Sequence, residues 1–478
     1  MNKFFRFSFF AAAFTSAVVL VSCGDDDPPL PDNITQFQAT TQGISAGQTE
    51  ATVNITLARA VEADGSITIS YNATGVTYGN DFTTDPAPDA NSKIVIPVAT
   101  GATSASFKVI KTNTTGLTGD EKVDFTIESL PDGLVLGSQK TFSLSFSEII
   151  ATSAAMTIDG GGTVANNRVF IDLSGNKQTA VGRTTWDLAF SSKADEFRVY
   201  LNSSNKMLAR AIDKNDLAEV TAADTTGFAA MLDLDAIFST LLGENVPEWV
   251  AGATSWMDSP SDPEATAIAE VDEDQDENLV YIINRGDGTG ANEKLGWAKI
   301  RVIRDGSNYK LQYASDIDAA NYDEITITKN PETNLTYVSL TNGETVTVEP
   351  NTGDWDIAWT GLTNTIDFGI LIPYFYQDMI IQNPNGVSTA LIMNSKELTY
   401  DNYAEADIAN TTFVSDNQIN IGDTWRTLGR SGSSLNEDQF YVIKDAEGNV
   451  YKLKFTALVT NGERGKPQLK FDLVKKGS

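Results

Sequence analysis

Histidine is missing from all 478 residues, and cysteine occurs once, at position 23. Without imidazole, Ser-His-Asp and Cys-His nucleophilic sites are excluded. So is any His-ligated zinc or haem. Carboxylate, lysine or tyrosine chemistry stays open. Positive charge is also scarce: 34 Lys and Arg stand against 64 Asp and Glu, a net charge of −30 with a pI near 4.3. Such a field repels phosphate backbones and anionic lipid, so no nucleic acid partner is expected. What the chain does have is 41% hydrophobic residues, enough for real cores, and a length that favours two to four domains.

The N-terminus reads as an address. Lys3 and Arg6 form a basic start, and an apolar stretch over residues 9–21 is too short to span a membrane comfortably. "LVSC" (20–23) and "GDDD" (24–27) follow. This resembles a bacterial lipobox, which implies a signal peptide over 1–22, cleavage before Cys23, and acyl chains on its sulfur and new amine. Each buried methylene contributes about 0.8 kcal/mol, so several chains anchor firmly. Lipidation would consume the sole thiol and leave no disulfide. The acidic run after Cys23 is similar to the surface-export signal of Bacteroidetes lipoproteins, which implies an outer-membrane protein exposed at the cell surface. "PPLPDN" (28–33) completes a semi-extended tether over 23–33.

Residues 34–149 are strand and turn throughout. "ATVNITLA" (51–58), "SITISYNA" (66–73), "SASFKVIK" (104–111) and "KVDFTIES" (122–129) alternate between apolar and polar, with Gly, Asn and Asp between them. That rhythm predicts an immunoglobulin-like β-sandwich. The sequence of "SITISY", "YGNDF" (78–82), "GDEKVDFTI" (119–127) and "LVLGSQKTFSLSF" (134–146) resembles a Calx-β domain. The resemblance implies Ca²⁺ ligands, for which Glu62, Asp64, Asp81, Asp120 and Glu121 are the candidates. The stretch ahead of the "GDE" turn, "KTNTTGLT", is nearly neutral, so a metal-free spacer is expected and calcium is not.

From about residue 155 the text repeats itself. "TTWDLAF" (184–190) returns as "GDWDIAWT" (353–360), with Trp186 and Trp355 169 residues apart. "RVIRDGSNYKLQY" (301–313) returns as "YVIKDAEGNVYKLKF" (441–455), each two alternating runs around a Gly-containing acidic turn, the mark of a β-hairpin. The order is the same in both halves, which predicts a tandem duplication with copies over 155–320 and 330–476. In a strand, Trp186, Leu188 and Phe190 share one face and Asp187 and Ala189 the other; Trp355, Ile357 and Trp359 repeat the stripe. Such stripes are read as core. "GFAAMLDLDAIFSTLLG" (227–243) predicts a short helix inserted in the first copy, capped by Asp224 or Thr226 and stopped at Gly243. "VDEDQDEN" (271–278) opens like an EF-hand but lacks its Gly and terminal Glu, and the Arg285–Asp287 "RGD" is read as turn chemistry.

The Trp-Asp strand, the terminal hairpin within "FYVIKDAEGNVYKLKFTAL" (440–458) and the last strand "GKPQLKFDLV" (465–474) resemble the HmuY family of Bacteroidetes haem-binding lipoproteins. The resemblance implies an all-β, lipid-anchored protein that captures haem without catalysis and passes it to an outer-membrane receptor. The family's His ligation cannot operate here. The resemblance implies methionine ligation instead, thioether being a legitimate axial ligand, with Met207, Met379 and Met393 as the candidates; Tyr374 and Tyr376 could ligate as phenolates or flank the porphyrin. "ILIPYFYQDMII" (370–381) is the densest apolar-aromatic stretch and lines a pocket or fills a core. The competing readings are a structural or adhesive surface lipoprotein with no haem site and, third, a carboxylate-pair glycosidase, for which no acidic pair stands out.

Overall fold

The computed structural model describes residues 32–477 apart from 45–47, 113–120, 147–150, 229–230, 290–292 and 430–431. The protein is all-β. Its first unit is a sandwich of two five-stranded sheets. One runs Phe82–Asp85, Ser104–Lys111, Glu50–Leu57, Asn33–Phe37, Leu134–Leu136; the other runs Thr41–Gly43, Thr141–Ser145, Lys122–Ser129, Gly65–Thr74, Lys93–Val98. Strict alternation decides which side faces in. Ala51, Val53, Ile55 and Leu57 are buried while their neighbours along the strand are exposed. Phe107, Phe125 and Phe142 fill the space between the sheets.

Four further sheets make two more sandwiches. In the first, Val199–Leu201, Leu188–Ser191, Leu335–Ser339 and Glu344–Val346 pack against Leu208–Ile212, Val280–Asn284, Trp297–Asp305, Asn308–Ala314 and Asp323–Ile327. In the second, Lys177–Gly182, Asn167–Asp172, Ile357–Asp367 and Leu371–Gln382 pack against Ser153–Thr157, Gln468–Lys475, Val450–Ala457, Gln439–Lys444 and Ser388–Met393. The echoed hairpins are present in both, turning at Gly306 and Gly448, each with positive φ.

The strand order reveals an exchange. The hairpin over 167–182 precedes the first Trp-Asp segment, yet it pairs with the second, Ile171 opposite Ile357. The hairpin over 335–346 precedes the second Trp-Asp segment, yet it pairs with the first, Val338 opposite Leu188. Each half lends its leading hairpin to the other. Sequence repeat and spatial unit therefore differ.

Two junctions pin the exchange, and they are built alike. The amide of Asp187 donates to the Val338 carbonyl while its Oδ2 accepts from the Leu340 amide at 2.7 Å. Asp356 does the same with the Ile171 carbonyl and the Leu173 amide, also at 2.7 Å. Asn202 Nδ2 donates to the Trp186 carbonyl, and Asn383 Nδ2 to that of Trp355. The junctions differ in charge. Asp187 is neutralised by Arg285, Nε to Oδ1 at 2.7 Å and Nη2 to Oδ2 at 3.0 Å, with both side chains largely buried. Arg285 of the "RGD" is thus a buried structural cation at the end of a strand rather than turn chemistry. Asp356 has Asp172 and Asp445 for neighbours instead, and burial pushes its carboxyl well above the usual range, with Asp172 adding to the rise.

The aromatic stripe is corrected by the same geometry. Regular strand starts only at Leu188 and Ile357. Leu188 and Phe190 enter one sandwich core, and Ile357 and Trp359 the other. Trp186 and Trp355 turn the opposite way. They join Ala189, Ala358, Phe170 and Tyr337 in a separate core between the two exchanged sheets. Trp186 meets Tyr337, and Trp355 meets Phe170, edge to face. The inserted helix is shorter than predicted. It spans Leu234–Leu241 and is capped by Asp233, whose side chain accepts from the Ala236 amide. Asp224 serves a preceding 3-10 turn, Ala222–Thr225, through a capping box with Thr221. The acidic 271–278 segment is ordered by Asx bonds, with Asn278 Nδ2 donating to the carbonyls of Asp272 and Asp274.

Candidate functional site

The dense aromatic stretch lies on the strand Leu371–Gln382, half of a long hairpin with Ile357–Asp367. A bulge between Thr360 and Leu362 breaks the ladder at Gly361. Glycine is needed there. A Cβ would sit 2.3 Å from Arg183 Nη1 and 2.6 Å from the Phe375 ring. Arg183 uses the space to lie buried between the Trp359 and Phe375 rings, 5.6 and 5.8 Å from their centroids. Its Nη2 donates to the Gln377 carbonyl at 2.7 Å. Burial, helped by the Arg168 charge, pulls this guanidinium down to about 9. Gly361→Ala should therefore destabilise by about 1–3 kcal/mol through overpacking. Thermal unfolding measures it, and an unchanged midpoint would refute the assigned contact.

Above this floor lies a groove of about 320 Å³. Tyr374, Phe375 and Tyr376 line it from the hairpin, Leu234 and Phe238 from the inserted helix, and Lys206 and Arg464 bring cations. Tyr374 and Tyr376 meet edge to face at 5.1 Å, and Phe238 approaches Tyr374 at 6.2 Å. Lys206 is 5.7 Å from the Phe375 centroid and pairs with Asp287 at 2.7 Å and Asp235 at 3.6 Å. Arg464 and Arg426 both grip the buried Asp378 carboxylate. Burial, with Asp423 and Tyr374 adding to it, raises the Tyr376 phenol above its ordinary range, so it stays protonated near neutral pH.

The methionines are elsewhere. Met207 is buried in the first sandwich core with Leu188 and Phe190. Met379 is buried in the core between the exchanged sheets. Met393 is exposed at the end of the strand Ser388–Met393. None of the three lines the groove. Met207 and Met379 are not equivalent either, since Met379 precedes its Asn383 marker whereas Met207 follows Asn202. Tyr374 and Tyr376 are the candidates that the structure brings together. Sequence reasoning missed Lys206, Phe238 and Arg464, which reach the groove from three separate segments, and Arg183 beneath its floor.

The calcium candidates are separately engaged. Glu62 is 3.9 Å from Arg59, Asp64 accepts from the Thr100 amide and hydroxyl, and Asp81 accepts from the Thr77 amide. Glu121 is buried, and Asp120 lies outside the described residues, as does Cys23. Among the described residues no group of three or more His, Cys, Asp or Glu could hold a metal ion.

The chain belongs to the HmuY family: the family model, described as HmuY protein, matches residues 165–312 and 331–471. This is a family of surface-associated, haem-binding proteins, not of enzymes. Each matched region begins with the hairpin that the other half receives. No curated protein matches the sequence. Among solved structures, the apo form of the Calx CBD1 domain is 12% identical over 24% of this chain and 98% of its own, with a TM-score of 0.21. A two-domain protein of unknown function from Bacteroides fragilis is 9% identical over 38% of this chain and 76% of its own, with a TM-score of 0.18. At such TM-scores neither likeness identifies a fold or a function. Among the described residues no helix is long and apolar enough to cross a membrane.

Proposed function

We propose that the protein captures a flat, largely apolar ligand of the haem class in the Tyr374–Tyr376 groove, without catalysis. Family membership supports the ligand class, and the paired phenols carry the choice of site. The groove lies at the small end of ligand-pocket volumes, so it suits one edge of a porphyrin, with the rest exposed. Aromatic faces would hold that edge. Tyr374 or Tyr376 would supply a phenolate oxygen in place of the absent histidine, releasing its proton to solvent as the iron binds. Lys206 and Arg464 would share their cations between existing carboxylate partners and the ligand's carboxylates. On this reading Cys23 carries the lipid anchor, the Calx-β-like sandwich is a metal-free spacer, and an outer-membrane receptor takes the ligand onward.

The test is a hemin titration of residues 24–478, followed in the Soret band. A saturable shift is expected, and Tyr374→Phe combined with Tyr376→Phe should weaken it at least tenfold. Met393→Ala should leave it unchanged, since Met393 is not among the residues lining the groove. Absence of any shift in the wild type would remove the ligand. A shift that survives the double Tyr variant but is lost in Met393→Ala would remove the site.

A further inference from the structure

A local reversal of charge lies on the outer face of the C-terminal sheet. Lys452 and Lys454 project from the strand Val450–Ala457, and Lys470 from its neighbour Gln468–Lys475. The alternate residues, Tyr451, Leu453, Leu469 and Phe471, fill the sandwich core, so the lysines face away from it. Register sets Lys454 directly opposite Lys470. Like charges at facing positions of an antiparallel pair are destabilising. All three ammonium groups gather on one ring, that of Tyr400, at 5.1 Å for Lys452, 4.9 Å for Lys454 and 4.5 Å for Lys470.

Lys452 is held by the Tyr403 carbonyl at 3.1 Å. Asp472, opposite Lys452, accepts from the Tyr400 hydroxyl at 2.8 Å. Among the described residues Lys454 and Lys470 have no ion-pair partner, unlike Lys466 and Lys475 nearby, which pair with Glu463 and Glu405. In a chain with almost twice as many acids as bases, two facing cations with no ion-pair partner among the described residues depart from its own pattern; Asp472, on the same face, is engaged by the Tyr400 hydroxyl. The phenol is kept protonated by burial and by its bond to Asp472, so it adds no compensating charge.

We propose that Lys454 and Lys470, with Lys452 behind them, form an anion site beside Tyr400 that takes a phosphate or sulfate monoester. A tetrahedral oxyanion offers several acceptors and can bridge two facing ammonium groups, replacing their mutual repulsion with two charge-assisted hydrogen bonds. The competing account is structural: the lysine stems merely pack along the Tyr400 ring. The two accounts differ in sign. If the lysines only pack, Lys470→Gln lowers the unfolding midpoint. If they are held for an anion, removing one of a repelling pair leaves the midpoint unchanged or raises it, and abolishes the response to anion.

The experiment uses residues 24–478 at fixed ionic strength, with inorganic phosphate or sulfate replacing chloride. The wild type should bind saturably by calorimetry and gain thermal stability. Lys454→Gln with Lys470→Gln should weaken binding at least tenfold, Lys454→Arg should retain it, and Lys466→Gln should not alter it. Sedimentation with phosphatidylcholine vesicles containing phosphatidic acid separates the sources. Co-sedimentation lost in the double variant assigns a lipid headgroup, and phosphate binding without it assigns a soluble ester. No saturation in the wild type, an equal response in the double variant, or a clear loss of midpoint in Lys470→Gln would each overturn the proposal.

Discussion

Asp187→Ala is expected to destabilise the duplicated region by about 3–5 kcal/mol, the usual cost of stranding one member of a buried ion pair. Arg285 would keep its charge in a site where its side chain is only 11% exposed. The Leu340 amide would lose its acceptor, and that bond secures the exchanged hairpin over 335–346. Because each half holds the other's leading hairpin, both should melt together and earlier, in one transition. Urea unfolding followed by tryptophan fluorescence reads this out, since Trp186 and Trp355 share the core between the exchanged sheets. A loss below about 1 kcal/mol, or two separate transitions for the two halves, would show that the exchange does not couple them.

Stability is expected to fall as pH rises from about 5 to 8. Several carboxyls are raised in the folded state. Burial lifts Asp258 to about 7, against the amides of Ala267 and Leu201, which donate to it. Burial likewise lifts Asp356, Asp172, Glu349 and Asp445. A raised carboxyl binds more protons folded than unfolded, so its contribution is lost as pH climbs between the two values, from about 4 to about 7 for Asp258. The opposite group, including Asp287 and Asp224 beside lysines, is lowered and withdraws stability only as pH falls below the ordinary carboxylate range. The maximum should therefore lie near pH 5. Repulsion within a chain of net charge −30 acts in the same direction. Asp356→Asn isolates the local part. Its amide oxygen can still accept from Leu173, and it cannot ionise. Its advantage over the wild type should be absent near pH 4.5 and grow toward pH 8. A wild-type stability that stays flat or increases from pH 5 to 8 would contradict this account.

The two copies were legible in the sequence because a repeated order of motifs needs no structure to be seen. The strands were legible because burial on one face imposes a period of two, as in Glu50–Leu57. The same rule misled at Trp186 and Trp355. It assumes regular strand, and the backbone becomes regular only two residues later. The helix was placed too early because apolar residues from 228 onward fit its period, while the actual start depends on the Asp233 cap. Of the ligand candidates, the two tyrosines came together because they sit two apart on one strand. The methionines scattered because nothing local ties a thioether to a groove.

The sequence alone determined composition-level facts: an acidic, histidine-free, all-β chain with a duplicated motif order, all set by residue type and spacing. Tertiary structure decided that the halves trade hairpins, that Arg285 neutralises Asp187 while among the described residues Asp356 has no such partner, and that Lys206, Phe238 and Arg464 converge on the tyrosines. Local pattern fixes which face of a strand is apolar. It does not fix which strand pairs with it, because either copy's Trp-Asp strand offers the same edge to either hairpin, and only the packed whole distinguishes them.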